Sequence, residues 1–246
     1  MPQTLAIIQA RTGSTRLPNK VLKDVNGQPI IKWQIDRVKR VEAIDLTVLA
    51  TTTEREDDPL ASLAEENGLK VFRGDSKDVL SRFYLAINEI KPKTIVRITG
   101  DCPLFMPSLC EEMIHRYYQE GCDYFSNTLT PTWPDGCDIE IMDHNSFAKL
   151  RTFKLNDLEK EHVTLGIYNR PEIFDCRNYL NSSDESHHRW TLDDQEDLTF
   201  IREVYRFFEG REISFSYSDV MNLIGKQMIK PRLDGGGMRN SALKKP

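Results

Sequence analysis

Short apolar runs alternate with amphipathic helical patterns through the first half of this chain of 246 residues. The runs predict strands at residues 5–8, 46–50, 70–72 and 94–98, and the patterns predict helices at residues 29–41, 57–67, 78–90 and 107–120. Alternation of strand and helix over such a length is typical of a mainly parallel sheet with helices on both faces. The expected fold class is therefore α/β.

The second half of the chain is less regular. Strands are expected at residues 138–142 and 190–192, and helices at residues 145–152, 157–168 and 194–208. We see no internal repeat and no clear linker, so a single domain over residues 1–229, with halves 1–125 and 126–229, is the simplest interpretation. The tail at residues 230–246 contains three consecutive glycines, and we expect it to be mobile or docked only in an oligomer.

The charge balance limits the partners of the chain. With 33 Lys and Arg against 38 Asp and Glu, the formal charge is −5. This mild acidity argues against a nucleic acid or an anionic membrane as a general partner. No apolar run reaches the roughly 18 residues of a transmembrane helix, and the first residues lack the basic region of a signal peptide.

The cysteines favour a reducing compartment. There are five of them, and no two have the Cys-x-x-Cys spacing, so neither a disulfide framework nor a structural zinc site is expected. The adjacent His187 and His188 lack the His-Glu-x-x-His pattern of a zinc site. A cytoplasmic location is the natural expectation.

The loop after the first predicted strand, residues 9–20, concentrates three cations. Arg11, Arg16 and Lys20 lie there together with Gly13. Loops at the carboxyl ends of strands form the ligand crevice of an open parallel sheet. The glycine lets a ligand approach the backbone, and the cations can neutralise a polyphosphate. The loop matches neither the P-loop nor the dinucleotide fingerprint, and an ordinary solvated basic loop is the alternative.

A carboxylate follows the strand predicted at residues 94–98. Asp101 comes directly after Gly100 and would project into the same crevice as the basic loop. A carboxylate that faces a polyphosphate needs a cation between them, and Mg²⁺ is often held by one or two carboxylates together with substrate phosphates. Alternatively, Asp101 is a turn residue that caps the helix beginning near Pro107.

A run of acids begins the helix predicted at residues 194–208. Asp193 or Asp194 suits the N-cap, and Glu196 and Asp197 suit the first turn electrostatically. Capping accounts for most of these acids. It leaves open whether Asp193 faces inward as a second metal ligand.

Three motifs together resemble a known family. They are Gln-Ala-Arg-Thr-Gly-Ser-Thr-Arg-Leu-Pro-Asn-Lys at 9–20, Arg-Ile-Thr-Gly-Asp-Cys-Pro-Leu at 97–104 and Leu-Asp-Asp-Gln-Glu-Asp-Leu at 192–198. In order and spacing they are similar to the cytidylyltransferases that activate acidic sugars, which include the acylneuraminate and deoxy-manno-octulosonate enzymes. The spore-coat polysaccharide branch matches best, because its first motif opens with Gln-Ala-Arg rather than Pro-Ala-Arg.

The resemblance implies a Rossmann-like nucleotide-diphospho-sugar transferase fold with a smaller region for substrate binding and dimerisation. Residues 1–125 would bind the nucleotide and residues 126–229 the acceptor. The implied reaction is Mg²⁺-dependent: an acceptor oxygen attacks the α-phosphorus of CTP and pyrophosphate leaves, for the synthesis of a surface polysaccharide or glycan. The implied partners are CTP, a sugar acid or related sugar, and a second copy of the chain in a homodimer.

The resemblance also implies roles for individual residues. Arg11, Lys20 and Asp101 would be catalytic, and Asp101 and Asp193 would hold the metal. The nucleotide would be bound by the first loop and by the ends of neighbouring strands: Ala10, Arg11, Gly13, Ser14, Arg16, Lys20, Arg73 and Gly100.

Acceptor-side motifs of the spore-coat branch are matched at residues 126–127, 134–140 and 161–164. They imply four acceptor-binding candidates: Asn127, Asp138, Glu140 and His162. Asp138 and Glu140 lie two apart on a predicted strand and would face the same way, although a solvated strand face is the alternative. An acidic acceptor also needs a basic partner, and the candidates are Arg177, His187, His188 and Arg189.

Two other functions stay open at this point. A glycosyltransferase of the same fold would use a nucleotide-sugar, but such enzymes usually carry Asp-x-Asp where this chain has Asp101-Cys102-Pro103. A non-catalytic subunit would keep the nucleotide pocket without turnover. The presence of Arg11 and Lys20 argues against that second alternative.

Overall fold

The computed structural model describes residues 3–233. Its strands are β1 (Thr4–Gln9), β2 (Asp24–Val25), β3 (Gln28–Pro29), β4 (Leu46–Thr52), β5 (Lys70–Gly74), β6 (Thr94–Thr99), β7 (Tyr124–Ser126), β8 (Glu140–Asp143) and β9 (Cys176–Asn178). Its α-helices are α1 (Ile30–Val38), α2 (Asp58–Glu66), α3 (Val79–Ile90), α4 (Pro107–Glu120), α5 (His144–Leu150), α6 (Asp157–Glu161), α7 (Leu165–Tyr168), α8 (Gln195–Phe207) and α9 (Tyr217–Gly225). All strands and helices predicted in the first half are present.

One seven-stranded sheet joins strands from both halves of the chain. Its order is β5–β4–β1–β6–β8–β7–β9, and neighbouring strands are parallel except where β8 pairs with β6 and β7. The strand order reverses at β1, which has β4 on one side and β6 on the other. Ligands of open α/β sheets bind outside the carboxyl ends of the strands at such a switch point. The prediction of a mainly parallel sheet flanked by helices is confirmed.

Alternate residues of β1 enter hydrophobic cores on opposite faces of the sheet. Ala6 and Ile8 pack in one core with residues of α1, α4 and α8, whereas Leu5 and Ile7 pack in the other with residues of α3 and α5. All four are fully buried. The continuous apolar run of β1 therefore reflects helices on both faces, as expected for a central parallel strand.

Two elements of the second half differ from the prediction in their extent. The strand expected at residues 138–142 begins only at Glu140, so Asp138 lies in the preceding loop. The helix expected at residues 157–168 is two short helices, α6 and α7. They are separated at Val163, whose φ of 50° is in the left-handed region and cannot continue an α-helix.

The segment at residues 190–192 is not a strand of the sheet, contrary to the prediction. The Trp190 N–H donates to the Asp135 carbonyl at 2.6 Å, and the Leu192 N–H donates to the Asp101 carbonyl at 2.8 Å. These backbone bonds satisfy its polar groups on two different loops. The segment therefore connects the turn after β6 to the loop before β8.

Gly136, in the loop before β8, lies against the backbone of Trp190 and Thr191. Its φ is 106°, and a Cβ there would lie 2.5 Å from the Thr191 nitrogen. We therefore expect Gly136→Ala to lower the free energy of unfolding by about 1–3 kcal/mol in urea denaturation. Gly225→Ala is the matched control, since nothing lies within 4 Å of a Cβ at that position in α9. A Gly136→Ala protein as stable as the wild type would contradict the contact.

The first residues of the predicted tail are docked on the chain itself. Arg232 forms ion pairs with Asp194 at 3.1 Å and with Glu196 at 3.0 Å, at the start of α8. The expectation for residues 234–246, which include the three glycines, lies outside the described residues. Within residues 3–233, none of the helices combines the length and the hydropathy needed to cross a bilayer.

Candidate active site

A cleft of about 890 Å³ opens at the carboxyl ends of β1 and β6. Its walls include the loop after β1, the turn after β6, the loop before β8 and the segment before α8, together with the start of α3 and the region of α6 and α7. The lining includes most of the predicted nucleotide-binding and metal-binding residues: Ala10, Arg11, Gly13, Ser14, Arg16, Lys20, Gly100, Asp101 and Asp193. The fold thus brings the three sequence motifs to one place.

A buried carboxylate holds the loop after β1 in position. The N–H and the hydroxyl of Thr12 both donate to Asp57 Oδ1 at 2.7 Å, and the Thr52 hydroxyl donates to Asp57 Oδ2. Burial favours the neutral acid, but these hydrogen bonds outweigh burial and hold the pKa of Asp57 below its ordinary value. The charged anchor fixes the backbone of the loop independently of a ligand.

Two glycines of the cleft have different surroundings. A Cβ at Gly100 would lie 2.6 Å from the Ala10 Cβ, so the carboxyl ends of β6 and β1 approach each other with no room for a side chain. Nothing lies within 4 Å of a Cβ at Gly13. The backbone of the first loop is therefore open to the cleft at Gly13, as the sequence predicts.

The ammonium group of Lys20 lies between the two predicted metal carboxylates. Its Nζ is 2.9 Å from Asp193 Oδ1 and 3.4 Å from Asp101 Oδ2. Burial by itself lowers the pKa of Lys20, but the two carboxylates outweigh burial and raise that pKa above its ordinary value. Because both oxygens lie within 3.4 Å of one nitrogen, the two carboxylates are close enough to share a cation.

Asp193 is held by two further cations. Its Oδ2 lies 3.1 Å from Arg16 Nη2 and 2.9 Å from Arg189 Nη2. Burial raises the pKa of Asp193, but the charges of Lys20, Arg16 and Arg189 outweigh it and hold that pKa below its ordinary value. Asp193 therefore stays ionised at neutral pH.

The chemistry of these donors fits Mg²⁺. Asp101 and Asp193 offer hard carboxylate oxygens, which Mg²⁺ prefers, and Mg²⁺ usually completes its coordination with substrate phosphates and water. Lys20 bridges the same two carboxylates. Metal binding at this position therefore requires the Lys20 ammonium to turn toward another anion, for which a phosphate is suited.

Arg189 lines the cleft, but three carboxylates already hold its guanidinium. Nε and Nη2 bind the two carboxylate oxygens of Asp197 at 3.0 Å each, Nη1 binds Asp135 at 3.2 Å, and Nη2 binds Asp193 at 2.9 Å. Burial opposes the charge of Arg189, but these partners outweigh it and raise its pKa. Arg189 therefore supports Asp193, and its role toward an acceptor carboxylate stays a prediction.

The other basic candidates for an acceptor carboxylate do not line the cleft. His187 and His188 lie in a separate loop with Glu185, and the ligand atoms of these three side chains lie within 4.8 Å of one another. That spacing could hold an ion, although the sequence pattern does not predict a metal site there. Arg177 pairs with Asp175 at 2.8 Å on the surface.

Glu140 lines the cleft, but its carboxylate is largely used within the fold. It is 6% exposed, forms an ion pair with Arg97, and accepts hydrogen bonds from the hydroxyls of Tyr124 and Thr164. Asp138 also lines the cleft, from the loop before β8. The two acids therefore do not share one strand face, contrary to the prediction.

Asn127, a predicted acceptor-binding residue, is fully buried and is not part of the cleft lining. Its Nδ2 donates to the Cys137 carbonyl at 2.8 Å, and its Oδ1 accepts from the Ile139 N–H at 3.0 Å. The amide therefore ties the end of β7 to the segment that leads into β8.

His162 lines the cleft from the turn after α6, as the sequence predicts. Burial lowers the pKa of its imidazole; Glu161 opposes this and Arg97 adds to it, and the net pKa lies below the ordinary value. His162 is therefore neutral at neutral pH. A neutral imidazole can both donate and accept a hydrogen bond with a sugar hydroxyl.

This lowered pKa predicts a pH-dependent stability. In the unfolded chain His162 regains a pKa of about 6.5, so its contribution is present above about pH 6.5 and is lost as the pH falls below it. We expect the melting temperature of the wild type to fall more between about pH 7.5 and pH 5.5 than that of His162→Gln. His115→Gln, at an exposed histidine, is the control. Parallel curves for wild type and His162→Gln would contradict the lowered pKa.

Arg73, which the resemblance places near the nucleotide base, is not part of the cleft lining. Its Nε donates to the Thr52 carbonyl at 2.7 Å, its Nη2 donates to the Glu54 carbonyl at 2.9 Å, and it pairs with Asp58. The lining instead contains Arg82, which the sequence interpretation missed. A signal was available, because Arg82 stands three residues after Val79 and four before Ala86, within the apolar stripe of α3.

Comparisons with known proteins agree with the fold and the motifs. The family model described as cytidylyltransferase matches residues 5–214. The spore coat polysaccharide biosynthesis protein SpsF of Bacillus subtilis is 33% identical over 234 residues, which are 92% of this chain and 95% of that protein. A 3-deoxy-manno-octulosonate cytidylyltransferase of Bartonella tribocorum is 35% identical over 119 residues, 46% of each chain.

A solved structure extends the agreement to three dimensions. The structure of a cytidylyltransferase from Leptospira borgpetersenii matches with a TM-score of 0.86 and 32% sequence identity, over 92% of this chain and 95% of that one. The residues matched by the family model, 5–214, include all three sequence motifs, and the resemblance found in the sequence is confirmed. The chain is an enzyme that belongs to the cytidylyltransferase family.

Proposed function

We propose that this enzyme transfers CMP from CTP to a sugar acid or related sugar and releases pyrophosphate. The convergence of Lys20, Asp101 and Asp193 at the carboxyl ends of β1 and β6 carries the proposal. Membership of the family supports CTP as the donor. The spore coat polysaccharide and octulosonate relatives support a sugar acceptor used in surface polysaccharide or glycan synthesis.

The reaction makes one bond and breaks one. An acceptor hydroxyl oxygen bonds to the α-phosphorus of CTP while the bond from that phosphorus to the oxygen bridging it to the β-phosphate breaks. The hydroxyl proton is released, and the electron pair of the broken bond stays on pyrophosphate. Such a transfer needs positioning and neutralisation of charge more than it needs a protein nucleophile.

The residues of the first loop suit the triphosphate. Gly13 and Ser14 offer backbone and hydroxyl groups that face the cleft, and Arg11 and Arg16 offer positive charge. Lys20 would exchange its carboxylate partners for a phosphate oxygen of the leaving group. Asp101 and Asp193 would hold Mg²⁺, which when bound neutralises phosphate charge and polarises the phosphorus–oxygen bonds.

The acceptor would lie on the side of the cleft formed by residues 126–229. Asp138, His162 and Thr128 line that side. They provide carboxylate, neutral imidazole and hydroxyl groups, all of which bind sugar hydroxyls. A homodimer and a cytoplasmic location stay predictions from the sequence, and light scattering of the purified protein measures the first.

Nucleotide binding tests the donor without knowledge of the acceptor. We expect CTP with Mg²⁺ to raise the melting temperature more than UTP, ATP or GTP does, because a ligand at 100 times its Kd adds about 2.7 kcal/mol to the stability of the folded state. Lys20→Met should reduce the rise with CTP. A rise with UTP and none with CTP would overturn the proposed donor.

A further inference from the structure

A buried guanidinium faces the cleft without a partner. Arg82, on α3, is 1% exposed, and it lines the cleft. Its Nε and Nη1 are both buried and have no hydrogen-bond partner within residues 3–233. A buried donor without an acceptor destabilises a protein, and a charged donor does so more strongly. Such a group therefore points to a ligand that supplies the missing acceptor.

Another buried arginine, Arg37, shows how this fold provides hydrogen-bond acceptors for a guanidinium group that has a structural role. Arg37 is fully buried, and its three nitrogens donate to the backbone carbonyls of Phe105, Glu212 and Phe215. These bonds tie α1 to the loops around it. Arg82 has no comparable set of acceptors, so packing alone does not account for its charge.

The cations of the cleft divide into two groups. Lys20, Arg16, Arg97, Arg189 and Arg232 are each paired with a carboxylate. Of the cleft-lining cations that the structure describes, Arg11 and Arg82 have no ion pair. Within the described residues, these two side chains are therefore the cleft cations that could bind an anion without giving up an ion pair.

Arg11 and Arg82 repel each other in the absence of an anion. Burial lowers the pKa of Arg82 to about 10, and the positive charge of Arg11 adds to this lowering, whereas Asp57, Asp75 and Asp78 oppose it from beyond ion-pair distance. The Arg82 side chain is also confined, because a Cβ at Gly74 would lie 2.8 Å from the Arg82 Cγ. An anion between the two guanidinium groups would relieve the repulsion and supply the missing acceptors.

We propose that Arg82 and Arg11 form an oxyanion subsite that binds a phosphate or carboxylate oxygen of the substrates. This subsite is separate from the group of Lys20, Asp101 and Asp193, and its assignment rests on the proposed function. An arginine fork matches two oxygens of a phosphate or carboxylate better than an ammonium does. Arg82 is a binding residue in this arrangement, and its buried side chain lies against Gly74.

Binding of CTP, pyrophosphate and cytidine identifies what Arg82 contacts. We expect Arg82→Gln to weaken the binding of CTP or of inorganic pyrophosphate about 10- to 100-fold in calorimetry with Mg²⁺, and to leave cytidine binding unchanged. Arg82→Lys should recover only part of the loss, because it restores the charge but not the fork. Arg151→Gln, at an exposed arginine of the α5 end that donates to Asn88, is the control and should bind CTP as the wild type does.

The same variants separate the two sources of the anion. Unchanged binding of CTP and pyrophosphate with a KM for the sugar acid raised about 10-fold or more would place the acceptor carboxylate at Arg82, which also supports an oxyanion subsite. Equal losses for cytidine and CTP would overturn the proposal in favour of a base contact. Unchanged constants for every ligand would overturn it outright.

Stability without ligand tests Arg82 even if the proposed function fails. Arg82→Met removes a buried charge that lacks partners, so its melting temperature should equal or exceed that of the wild type. Arg37→Met removes a guanidinium with three backbone partners and should melt well below the wild type. A fall for Arg82→Met as large as that for Arg37→Met would show a structural arginine and overturn the subsite. A wild type that binds no nucleotide would instead overturn the proposed function.

Discussion

Asp101→Asn should reduce CMP transfer by at least about 100- to 1,000-fold, the usual effect of removing a group that stabilises charge in a transition state. The substitution keeps the shape of the side chain but removes the negative charge that faces Lys20 and the proposed metal. The Asp101 side chain is 35% exposed and lies 3.4 Å from Lys20, so the fold depends little on it. Pyrophosphate release measures the loss, and thermal melting measures the fold.

Asp157→Asn is the matched control, because the Asp157 side chain on α6 is fully exposed and lies outside the cleft. It should retain wild-type turnover. Near-normal turnover by Asp101→Asn in Mg²⁺ would contradict the role of this carboxylate, whereas a large fall in its melting temperature would show that the residue acts through the fold.

Asp197→Ala should lower the free energy of unfolding by about 3–5 kcal/mol, as expected when one partner of a buried ion-pair network is removed. The Asp197 side chain has no exposed surface. It accepts hydrogen bonds from the guanidinium groups of Arg189 and Arg232 and from the N–H groups of Asp193 and Asp194. Its loss leaves Arg189 with less counter-charge and loosens the backbone that positions Asp193, so turnover should fall as well.

Urea denaturation measures this effect, and Glu203→Ala on the exposed face of the same helix is the control. A surface substitution of that kind usually changes stability by less than about 0.5 kcal/mol. An Asp197→Ala protein with the stability of the Glu203→Ala protein would contradict the network.

The first half of the fold could be predicted from the sequence because its signals are local. Leu5 and Ile7 alternate with Ala6 and Ile8 in a run that is apolar on both faces, and this pattern is typical of a central parallel strand. The glycine after α4 has a φ of 65° and ends that helix where the sequence predicts. Glycine is common at this position because it adopts the left-handed conformation without strain.

The second half depends on contacts between distant residues, which a local pattern does not contain. The strands β7 and β9 are three residues long, too short for a period of two to be visible. The apolar residues Trp190 and Leu192 resemble a strand, but their N–H groups donate to the loops of Asp135 and Asp101. No glycine or proline at Val163 indicates in the sequence that the helix is interrupted between α6 and α7.

The same distinction applies to the site. The residue types near the strand ends predicted where Arg11, Lys20 and Asp101 would lie, because the carboxyl ends of parallel strands share one edge. The place of Asp193 was implied by the family resemblance. The partners of each charge could not be predicted. Whether Arg73 or Arg82 lines the cleft depends on how α3 packs against β5. The ion pairs of Arg189 with three carboxylates depend in part on Asp135 in the loop before β8.

Pyrophosphate release from CTP in the presence of a sugar acid tests the proposed reaction most directly. The purified enzyme is incubated with CTP, Mg²⁺ and, one at a time, 3-deoxy-manno-octulosonate, an acylneuraminate and a neutral hexose, and the CMP-sugar is identified by its mass. We expect pyrophosphate and a CMP-sugar in equal amounts with one of the sugar acids, no release without an acceptor, and none with Asp101→Asn. Release from UTP in preference to CTP, or a CMP-sugar formed equally well by Asp101→Asn, would contradict CMP transfer at the site of Lys20, Asp101 and Asp193.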